Sequence, residues 1–178
     1  MNDRSLPGRV IVGVGSSLGA YEALRYAVAE ARRRRTDLLA VRAYRSAGYA
    51  QSPLPAHCVA DAALALVEGA FAEALGGAPP DLPVEVVVRD GHAARVLVGT
   101  ANRESDLIVI GGCGTRRLPR LRSTAVARFC AREAGCPVVI VPPNALARSA
   151  HTDRLARDTA EDAQDFLLRQ MPPGMQLG

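Results

Sequence analysis

The chain has 178 residues, of which 48% are hydrophobic, and this length and composition predict one well-buried globular domain with terminal extensions. All 22 basic residues are arginine, which excludes Schiff-base chemistry on lysine and the lysine of a P-loop. The net charge of +4 is modest, and with four Tyr, three Phe and no Trp the composition argues against a nucleic-acid-binding protein.

Membrane and metal-binding classes are also disfavoured. The apolar runs are broken before the roughly 18 residues that a membrane span requires, and the short polar start has no secretory signal core. We therefore expect a cytoplasmic protein. The four cysteines lack C-x-x-C spacing, and only His57 stands beside one of them, so no metal site is predicted. We expect reduced thiols, with Cys130 and Cys136 as small core residues.

The first half of the chain begins with a strand and a helix. A β-branched run predicts a strand over residues 9–14, and the turn at residues 15–19 offers Ser16 or Ser17 as the cap of a helix. Apolar residues at three- and four-residue spacing continue this helix to four arginines at residues 32–35. Cations are stabilised at the carbonyl end of a helix, so we favour a solvated helix end over a nucleic-acid contact.

Strands and helices then alternate to residue 141. The predicted elements are a strand over Leu38–Tyr44, a long helix over Ala56–Leu75, a strand over residues 84–88, a helix over residues 91–103, a strand over residues 107–110, a helix, and a strand over Val138–Val141. This alternation predicts a parallel sheet of five strands covered on both faces by four helices. Ligands of such sheets bind at the carboxyl ends of the strands, where strand order reverses. We expect the turns at residues 15–19 and 111–114 to face each other there.

The turn at residues 111–114 is the strongest candidate for a binding site. Gly111 and Gly114 can bring bare backbone N–H groups against a phosphate, and the following helix would add its own free N–H groups. Arg116 and Arg117 are anion-binding candidates in the loop after it. A G-x-x-G turn is weak evidence by itself, because glycines after a strand more often only make the turn.

Three segments give this sequence a specific resemblance. Val-Gly-Val at residues 12–14, Asp-Leu-Ile-Val-Ile-Gly at residues 106–111 and Cys-Pro-Val-Val-Ile-Val at residues 136–141 resemble the universal stress protein family. The resemblance implies a Rossmann-like three-layer α/β sandwich whose five-stranded parallel sheet has the order 3-2-1-4-5. It further implies a stress-response regulatory role, ATP with Mg²⁺ as a ligand of many members, and a homodimer through the last strand, residues Val138, Val139, Ile140 and Val141.

The resemblance also locates the nucleotide site and two departures from it. ATP-binding members carry G-x-x-G-x9-G-[ST], and this chain has Thr124 and Ala125 where the final Gly and Ser or Thr stand. The aspartate that holds the nucleoside end in those members corresponds here to Gly15. The implied nucleotide-site residues are Gly13, Val14, Gly15, Ala43, Gly111, Gly114, Thr124, Ala125 and Val126.

The sequence therefore predicts a lead-in at residues 1–8, a universal stress protein-like domain at residues 9–142 and an extension at residues 143–178 with a helix over residues 152–170. No catalytic triad, carboxylate pair or Cys-His pair is evident, so we expect no enzyme beyond weak ATP hydrolysis at most. The predicted function is a regulatory module that binds ATP or another adenine nucleotide weakly. The alternative is a nucleotide-independent dimerisation or interaction module whose arginine-rich loop recruits an acidic partner.

Overall fold

The computed structural model of the protein describes residues 8–45, 56–112 and 121–144. The described residues up to Pro143 belong to one compact unit. The helix predicted over residues 152–170 lies outside the described residues.

Strands and helices alternate throughout the described ranges. They are β1 (Val10–Gly13), α1 (Leu18–Arg34), β2 (Leu38–Tyr44), α2 (Ala56–Leu75), β3 (Val84–Asp90), α3 (Ala93–Thr100), β4 (Leu107–Gly111), α4 (Leu121–Glu133) and β5 (Val138–Val141). The predicted bounds of β2, α2 and β5 are confirmed. β3 is two residues longer than predicted, because Arg89 and Asp90 continue the pairing with Ala43 and Tyr44.

The five strands form one parallel sheet in the order β3-β2-β1-β4-β5. β1 lies at its centre, where Val10 pairs with Leu38 of β2 on one side and with Leu107 of β4 on the other. The α/β fold class, the strand order and the four helices are therefore confirmed. Strand order reverses between β1 and β4, so the crevice expected for a ligand lies at the carboxyl ends of these two strands.

Each face of the sheet is covered by a pair of helices, and alternate residues of the central strands enter separate cores. Val10, Val12, Leu38 and Ala40 pack with α1 and α2. Ile11, Leu39, Val41 and Ile108 pack with α3 and α4. Cys130 is fully buried in this second core, as predicted, and Cys136 packs against it half-buried. Burial raises the pKa of the Cys130 thiol to about 11, which keeps it protonated and unreactive.

Helix α1 begins and ends as its sequence indicates. The backbone N–H of Ala20 donates to Ser17 Oγ at 3.2 Å, so Ser17 is the cap that the sequence left open between two serines. At the other end, Arg33 and Arg34 both donate to the Glu30 carboxylate, while Arg32 donates to Asp81 with both nitrogens of its fork. Three of the four arginines are thus engaged with carboxylates within the chain, as a solvated helix end allows.

The amino edge of the sheet is held by a buried carboxylate, Asp106. Its oxygens accept from Arg9 N at 2.9 Å, Arg9 Nε at 3.2 Å, Arg9 Nη2 at 2.8 Å and the backbone N–H of Arg103 at 3.2 Å. Burial raises the pKa of Asp106, but the hydrogen bonds and charge of Arg9 outweigh burial and hold the pKa below its usual range. This cluster joins the start of β1 to the start of β4.

Two absences hold for the part of the chain that the structure describes. None of its helices combines the length and the apolar character needed to cross a membrane. In the same ranges no three His, Cys, Asp or Glu side chains come together in a group that could hold a metal ion.

Candidate functional site

The two glycine-containing turns predicted to face each other do meet at the carboxyl edge of the sheet. The first turn of α1 lies directly on the end of β4. A Cβ atom added to Gly111 would lie 2.5 Å from the backbone nitrogen of Ala20 and 2.5 Å from the carbonyl carbon of Gly19, and one added to Gly19 would overlap the carbonyl oxygen of Gly112. Backbone therefore packs on backbone at the reversal point, and the described parts of both turns border one region.

This contact explains Gly111 without a ligand. A Cβ atom at position 111 would lie closer to the backbone of α1 than Cβ atoms are found in real proteins. The approach of α1 is therefore enough to require glycine at this position. The next N–H group, that of Gly112, donates to the carbonyl oxygen of Val141 at 2.7 Å and is not free for a phosphate. Packing against α1 is therefore a sufficient reason for the glycine at position 111. The glycine by itself is not evidence for a phosphate site.

The residues predicted at the end of β1 differ in what they offer a ligand. Val14 is only 6% exposed within the core, and its N–H donates to the carbonyl oxygen of Val41 at 2.9 Å. Its side chain is therefore unavailable to a ligand. Gly13 faces the opposite core, where an added Cβ would lie 3.2 Å from Leu97 Cδ1. Ala43, on β2, is half-buried and pairs in register with Arg89 of β3.

Gly15 has space where the family's aspartate would stand. An added Cβ would meet only the Cβ of Ala20, at 3.4 Å, which is an ordinary van der Waals contact. The backbone of Gly15 is also outside the positive-φ region that favours glycine, because only Gly76, Gly77 and Gly91 among the described glycines lie there. The fold therefore does not require glycine at position 15, and the local backbone is compatible with an aspartate.

Arg42 lies beside the candidate site, and the sequence reasoning did not single it out. It lies on β2, and its Nη1 donates to the carbonyl oxygen of Val14 at 3.1 Å, at the beginning of the turn that contains Gly15. Its Nε is buried and has no hydrogen-bond partner within the described ranges. The sequence contained a sign of this residue, since Arg42 is the one charged residue in the apolar run Leu38–Tyr44. Burying an arginine costs solvation free energy, so an arginine in a buried strand indicates a specific partner or ligand.

Comparison with known proteins decides the family. The model of the universal stress protein family matches residues 7–142, which is well over half of the chain. The chain belongs to the universal stress protein family. A comparison with curated proteins gave no significant match.

Three solved structures of similar proteins differ in how closely they match this chain. The hypothetical protein MJ0577, a test case of structural genomics, is 15% identical, with 77% of this chain and 96% of that protein covered and a TM-score of 0.58. A universal stress protein in complex with cAMP is 21% identical, with 79% and 100% covered and a TM-score of 0.49. A universal stress protein from Archaeoglobus fulgidus in complex with dAMP is 20% identical, with 75% and 97% covered and a TM-score of 0.45.

The second half of the family's phosphate motif falls within helix α4. This helix begins at Leu121, so Thr124 and Ala125 already have helical backbone, and the side chain of Ala125 is exposed. Val126 is half-buried and packs against the core formed with α3. Gly114, Arg116 and Arg117 lie outside the described residues, so their predicted contact with a phosphate stays a prediction.

Proposed function

We propose that this universal stress protein is a regulatory module of the stress response that binds an adenine nucleotide at the carboxyl edge of its sheet. The observation that carries the proposal is the reversal of strand order between β1 and β4, with a turn after β1 in which Gly15 presents backbone in place of a side chain. Open α/β sheets bind their ligands at this point, and bare backbone allows the close approach that phosphates and ribose need.

Weak binding is expected because the polar groups that would hold the nucleoside end are few. Gly15 offers no carboxylate, and Arg42 already donates its Nη1 to the carbonyl oxygen of Val14, which leaves its buried Nε as the nitrogen without a partner among the described residues. If the ligand is ATP, Mg²⁺ would be held mainly by the phosphates, since magnesium sites of this kind use few protein carboxylates. We expect binding without turnover, apart from weak ATP hydrolysis at most.

Equilibrium binding of labelled ATP, with and without Mg²⁺, tests the proposal directly in wild type and in Gly15→Asp. We expect wild type to bind at millimolar concentration and Gly15→Asp to bind about tenfold more tightly, because one new charge-assisted hydrogen bond to the ligand contributes about 1.5 kcal/mol. Gly69→Asp is a matched control, since Gly69 is exposed on α2 and has nothing within 4 Å of an added Cβ.

Absence of binding in both wild type and Gly15→Asp would leave the nucleotide-independent module as the function. That module would recruit an acidic partner through Arg116, Arg117, Arg120 and Arg122, and its affinity would fall steeply with salt and with alanine at these positions.

We further propose a homodimer through β5. β5 is an edge strand, its four residues are all apolar, and Ile140 is 48% exposed. An apolar edge with unpaired backbone groups is a template for strand pairing unless another chain covers it. Sedimentation equilibrium should show a dimer that Ile140→Arg converts to monomer. Val86→Arg, on the opposite edge strand and 39% exposed, should leave the dimer intact. A monomeric wild type would contradict this proposal.

A further inference from the structure

We infer that the groove between β3 and α3 binds a small phosphate monoester, at a site separate from the crevice between β1 and β4. The groove has a volume of about 470 Å³ and is lined by Arg89, Asp90, Gly91, His92, Arg95, Val96 and Gly99. This volume lies within the range of small-molecule sites, roughly 300 to 1,000 Å³. The inference does not depend on nucleotide binding at the crevice.

The charge of the groove indicates an anionic ligand. Arg89 and Arg95 make no hydrogen bond or ion pair with any residue in the described ranges, in contrast to Arg32, Arg33 and Arg34. Asp90 is the acid that lines the groove, and it is engaged in an interaction of its own. Arg89 and Arg95 therefore both line one groove without a carboxylate partner in the described ranges, and His92 adds further hydrogen-bonding nitrogens.

These two charges favour a phosphate monoester over other anions. A guanidinium presents a planar fork that matches phosphate oxygens in pairs, and two forks can divide the oxygens of one phosphate between them. A monoester is close to a dianion near neutral pH and balances both arginines, whereas a carboxylate or a phosphodiester balances one. All residues that line the groove lie between Arg89 and Gly99, at the end of β3 and in α3. A site of this small extent suits a single phosphate more than the repeated phosphates of a polymer.

The shape of the groove leaves room for the rest of such a ligand. Gly91 has φ of +139°, which only glycine adopts without strain, and an added Cβ would lie 3.3 Å from Val96 Cγ2. Gly99 has nothing within 4 Å of an added Cβ, so the groove is open beside it. Val96 thus gives one apolar contact, and the two glycines give backbone in place of side chains. A small organic group esterified to the phosphate fits these walls.

Nuclear magnetic resonance can test the site with inorganic phosphate and a hexose monophosphate at constant ionic strength. In wild type we expect saturable shifts of the backbone amides of Gly91 and His92 and of the Nε–H groups of Arg89 and Arg95. Arg89→Ala/Arg95→Ala should weaken binding at least about tenfold, since two charge-assisted contacts are lost. Arg128→Ala/Arg132→Ala, which removes two exposed arginines from α4, should bind as wild type does.

A liposome experiment and a second double variant complete the test. The first identifies the source of the phosphate, and the second guards against misfolding of the alanine variant. Liposomes containing phosphatidic acid, whose headgroup is also a phosphate monoester, should not sediment the protein if the ligand is a soluble molecule. Arg89→Gln/Arg95→Gln keeps the side-chain length and serves if the alanine variant fails to fold. Non-saturable shifts in wild type, or unchanged binding in both groove variants, would overturn the inference. Either result is independent of the ATP-binding experiment with Gly15→Asp, which tests the proposed function at the other site.

Discussion

The two edges of the sheet differ in the charged group that each one buries. At the amino edge, the carboxylate of Asp106 is fully buried and accepts four hydrogen bonds from Arg9 and Arg103. At the carboxyl edge, Arg42 makes one bond and keeps a buried nitrogen without a partner among the described residues, and Arg89 and Arg95 line an open groove. A buried charge with complete hydrogen bonding holds strands together, whereas an incompletely bonded one retains capacity for a ligand.

This contrast places stability and binding at opposite edges of one sheet. Mutations at the amino edge should lower the free energy of unfolding and leave binding per folded molecule unchanged. Mutations at the carboxyl edge should change binding more than stability, except where backbone packs on backbone. The four predictions that follow test this division, beginning with the largest expected effect.

Asp106→Ala should lower the free energy of unfolding by about 3–5 kcal/mol, because it leaves Arg9 at a buried edge without its carboxylate. Urea denaturation measures the change. Asp81→Ala, which breaks the solvent-exposed ion pair with Arg32, should cost at most about 1 kcal/mol. Equal losses in the two variants would show that the amino edge has no special role in stability.

Gly111→Ala should cost about 1–3 kcal/mol, because the new methyl group would overlap the backbone of α1 at Gly19 and Ala20. Gly15→Ala should change stability by less than about 0.5 kcal/mol, because its Cβ would make only an ordinary contact. Thermal and urea unfolding of the two variants check this difference. A tolerated alanine at position 111 would mean that α1 moves aside easily, and the packing explanation of that glycine would then be wrong.

Stability should fall as pH is lowered from about 4.5 towards 2. Hydrogen bonds from Arg33 and then Arg34 lower the pKa of Glu30 from 4.5 to about 2, so its carboxylate stabilises the fold above pH 4.5 and loses that effect as pH falls through 2. The lowered pKa of Asp106 acts in the same direction. Urea midpoints between pH 2 and pH 6 measure the slope. Glu30→Gln should make it shallower, and a pH-independent wild type would contradict the ion-pair assignment.

Arg42→Met should change the free energy of unfolding by no more than about 1 kcal/mol, because it removes an unpaired buried nitrogen together with one hydrogen bond to Val14. The same variant should weaken nucleotide binding at the crevice, measured with labelled ATP. A loss of stability as large as that of Asp106→Ala would mean that Arg42 is a structural residue, and the contrast between the two edges would then fail.

The fold was predictable from sequence because the information for it is local. Runs such as Leu38–Tyr44 and Val138–Val141 show their strands directly, and the alternation of strands with helices leaves the parallel sheet as the consistent arrangement. Element ends were less predictable: α3 (Ala93–Thr100) is shorter than the helix predicted over residues 91–103, and β3 is longer than predicted because Arg89 and Asp90 pair with β2. Sequence patterns do not report that pairing.

The site was less predictable because its properties depend on contacts between distant segments. Gly111 stays a predicted phosphate-turn residue, but the approach of α1, which lies far earlier in the chain, is by itself enough to require a glycine there. Val14 stays a predicted nucleotide-site residue, but its side chain lies in the core. Arg42 was passed over as part of a strand. Periodicity assigns a residue to a face, and only the folded chain shows which backbone groups are already bonded.

The hydrogen bond from Gly112 to Val141 has a mechanical consequence. It joins the first residue after β4 to the last residue of the edge strand β5, at a distance of 2.7 Å. A displacement of Gly112 should therefore also move the end of β5, whose Val141 pairs with Gly111 as well. Gly112 also lies under the first turn of α1, where the carbonyl oxygen of Gly112 meets Gly19. The peptide segment at Gly112 thus contacts both the start of helix α1 and the end of the outer strand β5.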